Sequence, residues 1–86
     1  MIEYPIDGTL DLHTFRPSEI KELLRDYLSE CRARGVLDVR IIHGKGTGAL
    51  RNKISAYLDK HPLVDSTRLG NWNEGGAGVT VATLKK

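Results

Sequence analysis

Between Pro17 and Gly35 lies the segment that most restricts what this chain can fold into. Ile20, Leu23, Leu24, Tyr27, Leu28 and Cys31 recur at i, i+3 and i+4, which is the stripe of a helix with one face to bury. Pro17, Ser18 and Glu19 read as its start, with proline in the first turn and an acid at the positive end of the dipole. Arg32 and Arg34 precede Gly35, the pattern of a helix stop. A helix with one apolar face needs a second layer, and the flanking segments supply it. Thr9 to His13 alternates, with Leu10 and Leu12 on one side and Asp11 and His13 on the other, as in a short strand. Val36 to Ile42 is rich in β-branched residues and reads as a buried strand.

A second helix is predicted from Gly48 or Ala49 to about Lys60, with Leu50, Ile54, Tyr57 and Leu58 as its apolar face and Pro62 just beyond it. Val64 to Leu69 and Val79 to Leu84 complete the strands, joined by the glycine-rich turn Gly70 to Gly78. The order is therefore β-α-β-α-β-β. Two βα units imply parallel strands with right-handed crossovers, and the last two strands imply an antiparallel hairpin. The expectation is an α/β fold, a two-layer sandwich with a mixed four-stranded sheet and two helices on one face. Strand order is not readable at this level. Eighty-six residues allow one domain, here residues 9–86, with residues 1–8 as a tail or edge segment.

Composition excludes several classes. The chain is 40% hydrophobic and 28% charged, the balance of a globular rather than a disordered chain. A single cysteine, Cys31, permits no internal disulfide; on the helix stripe it reads as core. No stretch approaches the roughly 20 apolar residues of a membrane span and no secretory signal is evident, so a cytoplasmic location without a membrane partner is expected. The net charge of +2 is too small for the global field to attract nucleic acid, so a local site must do so.

Such a site is predicted at one edge of the sheet. Ligands of open α/β sheets bind at the carboxyl ends of the parallel strands. Those ends carry His13 and His43, and the entry loop of the last strand, Gly75-Gly76-Ala77-Gly78, should reach the same edge. In His43-Gly44-Lys45-Gly46-Thr47-Gly48 the glycines permit positive φ and close backbone approach. The following helix offers the N–H groups and partial charge, about +0.5, of an anion site. Lys45 adds a charge, Thr47 a hydroxyl and Arg51 a reach from the first turn. Three glycines in six residues would cost on the order of 2–3 kcal/mol if alanine would have served, which favours phosphate binding over a plain turn. The spacing is not that of a nucleoside-triphosphate loop, and a phosphodiester backbone suits the open site better.

Asp11 two residues before His13 can orient the imidazole. Asp11, His13 and His43 could also form a metal set, although their spacing specifies none. Trp72 could stack on a base, but a lone tryptophan more often packs, and packing is expected here. Arg16, Arg40, Lys53 and Arg68 are candidates for an extended basic surface.

At this point the chain resembles the Smr (small MutS-related) family. Leu10-Asp11-Leu12-His13 resembles the family's Leu-Asp-Leu-His-Gly motif, and His43 to Gly48 with Leu50-Arg51 resembles His-Gly-Lys-Gly-x-Gly-x-Leu-Arg. Gly75-Gly76-Ala77-Gly78-Val79-Thr80-Val81 is similar to the closing Gly-Gly-x-Gly-x-Thr-x-Val. Thr14 departs from the pattern, standing where the family has glycine. The resemblance implies a fold like the C-terminal domain of bacterial translation initiation factor three. It also implies an endonuclease that nicks structured DNA, as in DNA repair, or cleaves RNA, including messenger RNA on stalled ribosomes. Other members are thought only to bind.

The catalytic candidates are Asp11, His13, His43 and Lys45. The nucleic-acid-binding candidates are Gly44, Gly46, Thr47, Gly48, Arg51, Arg16, Gly75, Gly76 and Gly78. No cofactor is required for RNA cleavage; DNA nicking would draw on an activated water and a divalent ion such as Mg or Mn. The partners implied are DNA or RNA, with the ribosome or a recruiting protein as further candidates. A non-catalytic nucleic-acid- or ribosome-binding module is the competing reading, favoured by Thr14. A pure protein-interaction domain would leave the histidine–glycine edge without a role.

Overall fold

The computed structural model describes residues 6–12, 15–44, 48–74 and 76–86. Its elements are β1 (Thr9–Asp11), α1 (Pro17–Ala33), β2 (Asp38–Ile42), α2 (Ala49–Asp59), β3 (Val64–Leu69) and β4 (Val79–Leu84), with two short 3-10 turns, Trp72–Glu74 and Gly76–Gly78, between the last two strands. The predicted order and the two-layer α/β fold are both found. β1 and β2 are shorter than the sequence suggests. Val36 and Leu37 lie before β2, where the Val36 N–H still closes the end of α1 on the Cys31 carbonyl.

The sheet order is β1-β2-β4-β3. β1 pairs parallel with β2, whereas β4 pairs antiparallel with both β2 and β3. β3 therefore runs in the same direction as β1 and β2, and all three end at one rim. The β3–β4 hairpin is as predicted. The final strand lies between β2 and β3, which leaves β1 and β3 at the edges.

One face of the sheet carries Leu10, Val39, Ile41, Ala82 and Leu84, which join Ile20, Leu24, Tyr27, Leu28 and Cys31 of α1 and Ile54 and Leu58 of α2 in a single core. Burial of each such aliphatic side chain contributes roughly 1.5–3 kcal/mol. The helix stripe is thus the contact between the layers. Tyr27 fastens α1 to the first strand, because its hydroxyl accepts the Gly8 N–H and donates to the Thr9 carbonyl, each at 3.2 Å. Burial pushes its phenol up to about 12. Burial also raises the Cys31 thiol, in keeping with a core role. Among the described residues no helix is long and apolar enough to cross a membrane.

Candidate nucleic-acid interface

The rim is built by backbone hydrogen bonds that join separate motifs. The Leu12 N–H donates to the Ile42 carbonyl at 2.7 Å, extending the β1–β2 pairing to the strand ends. The N–H groups of His43 and Gly44 both donate to the Gly78 carbonyl at 3.0 Å. The end of β1, the start of the histidine–glycine loop and Gly78 therefore meet at one edge, as topology predicted.

Glycine is used here for its backbone freedom. Gly44 and Gly48 take φ of 80° and 85°, a region that costs an L-residue roughly 1–2 kcal/mol. Gly48 also caps α2 from that left-handed conformation, with no side-chain cap and no acidic residue in the first turn of the helix. A Cβ on Gly48 would stand 3.2 Å from Arg51 Nη2, so the guanidinium lies over the helix start and adds its charge to the dipole. Arg16 is exposed at the N-cap of α1. The turn into that helix begins at the rim, where the Phe15 N–H donates to the Leu12 carbonyl. Asp11 is exposed on the face opposite the core, in register with Ile42. Gly76 takes a φ of 60°, and Gly78 is buried. The candidates His13, Lys45, Gly46, Thr47 and Gly75 lie outside the described residues.

His43 departs from the picture of a solvent-facing catalytic imidazole. It is only 4% exposed. Its Nδ1 lies 2.9 Å from the Gly44 carbonyl oxygen and its Nε2 lies 2.8 Å from Thr80 Oγ1. A carbonyl only accepts, so Nδ1 carries the proton and donates. In the neutral ring Nε2 then accepts the Thr80 hydroxyl. Both nitrogens are used inside the protein. In this tautomer His43 offers no lone pair to an ion, and no group of three or more His, Cys, Asp or Glu among the described residues could hold one.

Two residues were missed by sequence reasoning. Thr80 is 2% exposed on the core-facing side of β4, and its signal was a hydroxyl at a position where strand alternation calls for an apolar residue. Trp72, expected to pack, is 87% exposed; no periodicity in its loop could have said so. The four-residue basic surface is also not one surface. Arg40 and Arg68 flank Val81 in register on the sheet face away from the helices. Lys53, with Lys21, Arg25 and Lys60, instead lines a groove of about 730 Å³ between α1 and α2.

The Smr domain family profile matches residues 10–85. The chain is 46% identical over 80 residues to Endonuclease MutS2 of Halothermothrix orenii, and 47% identical over 75 residues to that of Gemmatimonas aurantiaca. These alignments cover 93% and 87% of this chain but only about a tenth of the relatives' length. The crystal structure of the Smr domain of Thermus thermophilus MutS2 superposes with a TM-score of 0.86 at 38% identity, covering 92% of this chain and 99% of that one. YdaL, a stand-alone small MutS-related protein of Escherichia coli, has the same fold at a TM-score of 0.86 and 24% identity, covering 98% of this chain and 69% of its own. With the three motifs assembled on one rim of a matching fold, the chain belongs to the Smr domain family.

Proposed function

We propose that this domain cleaves phosphodiester bonds in RNA or structured DNA at the rim where β1, β2 and β4 meet. The observation that carries the reading is the pairing of the His43 and Gly44 N–H groups with the Gly78 carbonyl, which joins the start of the second motif to the third. A helix start without an acidic residue in its first turn, with Arg51 folded over it, suits a phosphate. The name Endonuclease MutS2 carried by relatives points to the same class of reaction.

On RNA, His13 oriented by Asp11 takes the proton of the 2′-hydroxyl as that oxygen attacks phosphorus. The bond from phosphorus to the 5′-oxygen breaks, and the leaving oxygen takes a proton from water. Lys45 and the loop N–H groups stabilise the charge that builds on the nonbridging oxygens. His43 acts as a positioning residue, holding the loop to β4 through Thr80.

The test is incubation of the purified protein with end-labelled RNA and with supercoiled plasmid, with and without chelator. Wild type should yield product, and His13→Ala should lose about 10²- to 10⁴-fold in rate. Asp11→Ala should fall in the same direction, and Lys45→Ala should lose both binding and rate. Equal cleavage by wild type and His13→Ala removes His13 from the mechanism. Thr14 in place of the family glycine favours a second reading, a module that binds without cutting. It predicts tight, salt-sensitive binding with no product after long incubation.

A further inference from the structure

Trp72 and Leu69 are the large apolar side chains exposed among the described residues, at 87% and 50%. An indole is among the largest apolar groups a domain can bury, and this chain has one tryptophan. A small domain that leaves it in water is holding it for something other than its own core.

Its place in the fold says what. β3 ends at the same rim as β1 and β2, and Leu69 pairs with Thr80, the residue bonded to His43. The Gly70 N–H donates to the Val79 carbonyl at 2.8 Å, and the Gly76 N–H donates to the Asn71 carbonyl at 2.8 Å. The 3-10 turn that opens with Trp72 is thus tied to β4 on one side and closed on itself on the other. With neighbouring strands about 4.8 Å apart, β3 stands about 10 Å from β2 across β4.

We propose that Trp72 is a stacking platform for an unpaired base, and that the substrate is a nucleic acid with a single-stranded stretch beside the bound phosphate. The inference rests on the reading of the rim as a nucleic-acid site and deepens it. A base inside a duplex has both faces covered by its neighbours. Only an unpaired or splayed base can offer a face to an indole.

The single tryptophan is its own reporter. Wild type is titrated at fixed salt with fluorescein-labelled single-stranded RNA, single-stranded DNA of the same sequence, and the blunt duplex of each. Indole emission and fluorescein anisotropy are read together. Either or both single strands should quench the indole, and the duplexes should not; the RNA and DNA arms show which sugar is accepted. Trp72→Ala should weaken single-strand binding about 5- to 150-fold, the range of one base–aromatic stack, and leave duplex binding and melting temperature unchanged. Trp72→Phe should recover most of the loss. Equal quenching by duplex and single strand overturns the proposal, as does unaltered single-strand affinity in Trp72→Ala. If Trp72→Ala is unaltered while Lys45→Ala fails on every oligonucleotide, the stacking proposal falls and the rim stands. If wild type binds none of the four, both fall.

Discussion

Replacing Thr80 with valine isolates the bond that joins the histidine–glycine loop to the last strand. Valine keeps the branched shape but removes the hydroxyl that His43 Nε2 accepts at 2.8 Å. Since His43 and Thr80 are 4% and 2% exposed, water cannot replace the lost donor, and a buried unsatisfied acceptor costs about 1–3 kcal/mol. The extra buried methyl returns about 0.8 kcal/mol, so the net loss should be about 0.2–2 kcal/mol, centred near 1. Against a total stability of roughly 5 kcal/mol for a domain this small that is a large fraction. A domain of this size loses about 4–8 °C in melting temperature per kcal/mol, so Thr80→Val should melt roughly 4–8 °C below wild type at the centre of that range. Thr80→Ser keeps the hydroxyl and loses only a methyl, and should retain the bond. Long-range ¹H–¹⁵N spectra of the imidazoles should show the proton of His43 on Nδ1 in wild type and in Thr80→Ser. Oligonucleotide affinity should fall in Thr80→Val and hold in Thr80→Ser, because the loop is no longer pinned. A valine variant that melts with wild type, or a wild-type His43 protonated on Nε2, would refute the assignment.

Three further outcomes test the framework. Gly48→Ala and Gly35→Ala both force an L-residue into positive φ, at 85° and 75°, and each should lose about 1–2 kcal/mol in urea unfolding. Only Gly48→Ala also displaces Arg51, so only it should weaken oligonucleotide binding. His61 is held below the usual imidazole range by burial, and its Nδ1 accepts the Leu63 N–H at 3.1 Å. The unfolded chain therefore binds the proton first as pH falls through about 6.5, and stability is lost below that pH. His61→Asn keeps an acceptor without titrating and should lose less stability between pH 7.5 and 5 in urea titrations; identical losses would remove His61 as the cause. Tyr27, raised to about 12, keeps its proton in the fold while the unfolded chain loses it near 10. Stability should therefore fall as pH rises from about 10 to 12, and Tyr27→Phe should flatten that limb in alkaline unfolding curves while costing about 1 kcal/mol at neutral pH.

The elements were legible because each satisfies its own period. The stripe from Ile20 to Cys31 has a single helical solution, and the glycines at 35 and 48 stand where φ is positive. The strand order was written less plainly, in the distribution of apolar residues. In β4 both Val79 and Val81 on one face and Ala82 and Leu84 on the other are buried, the mark of a strand with neighbours on both sides. In β3, Asp65, Ser66 and Arg68 are exposed, as suits an edge.

The direction of the His43 ring was open to the same argument. Val39, Ile41 and His43 share one parity, and the first two are core residues, so alternation sends the imidazole inward with them. The motif drew attention to its chemistry and away from its phase. Trp72 had no phase to read, because exposure in a loop depends on what the rest of the chain leaves uncovered. The consequence reaches any mutational test of the site. Loss of cleavage in a His43 variant does not distinguish proton transfer from a loop unpinned from β4, since the same ring bridges the Gly44 carbonyl and the Thr80 hydroxyl. Comparison with Thr80→Val separates the two. If both variants lose activity in proportion to their loss of stability, His43 positions the loop. If His43→Ala loses far more at equal stability, the ring takes part in the chemistry despite its burial.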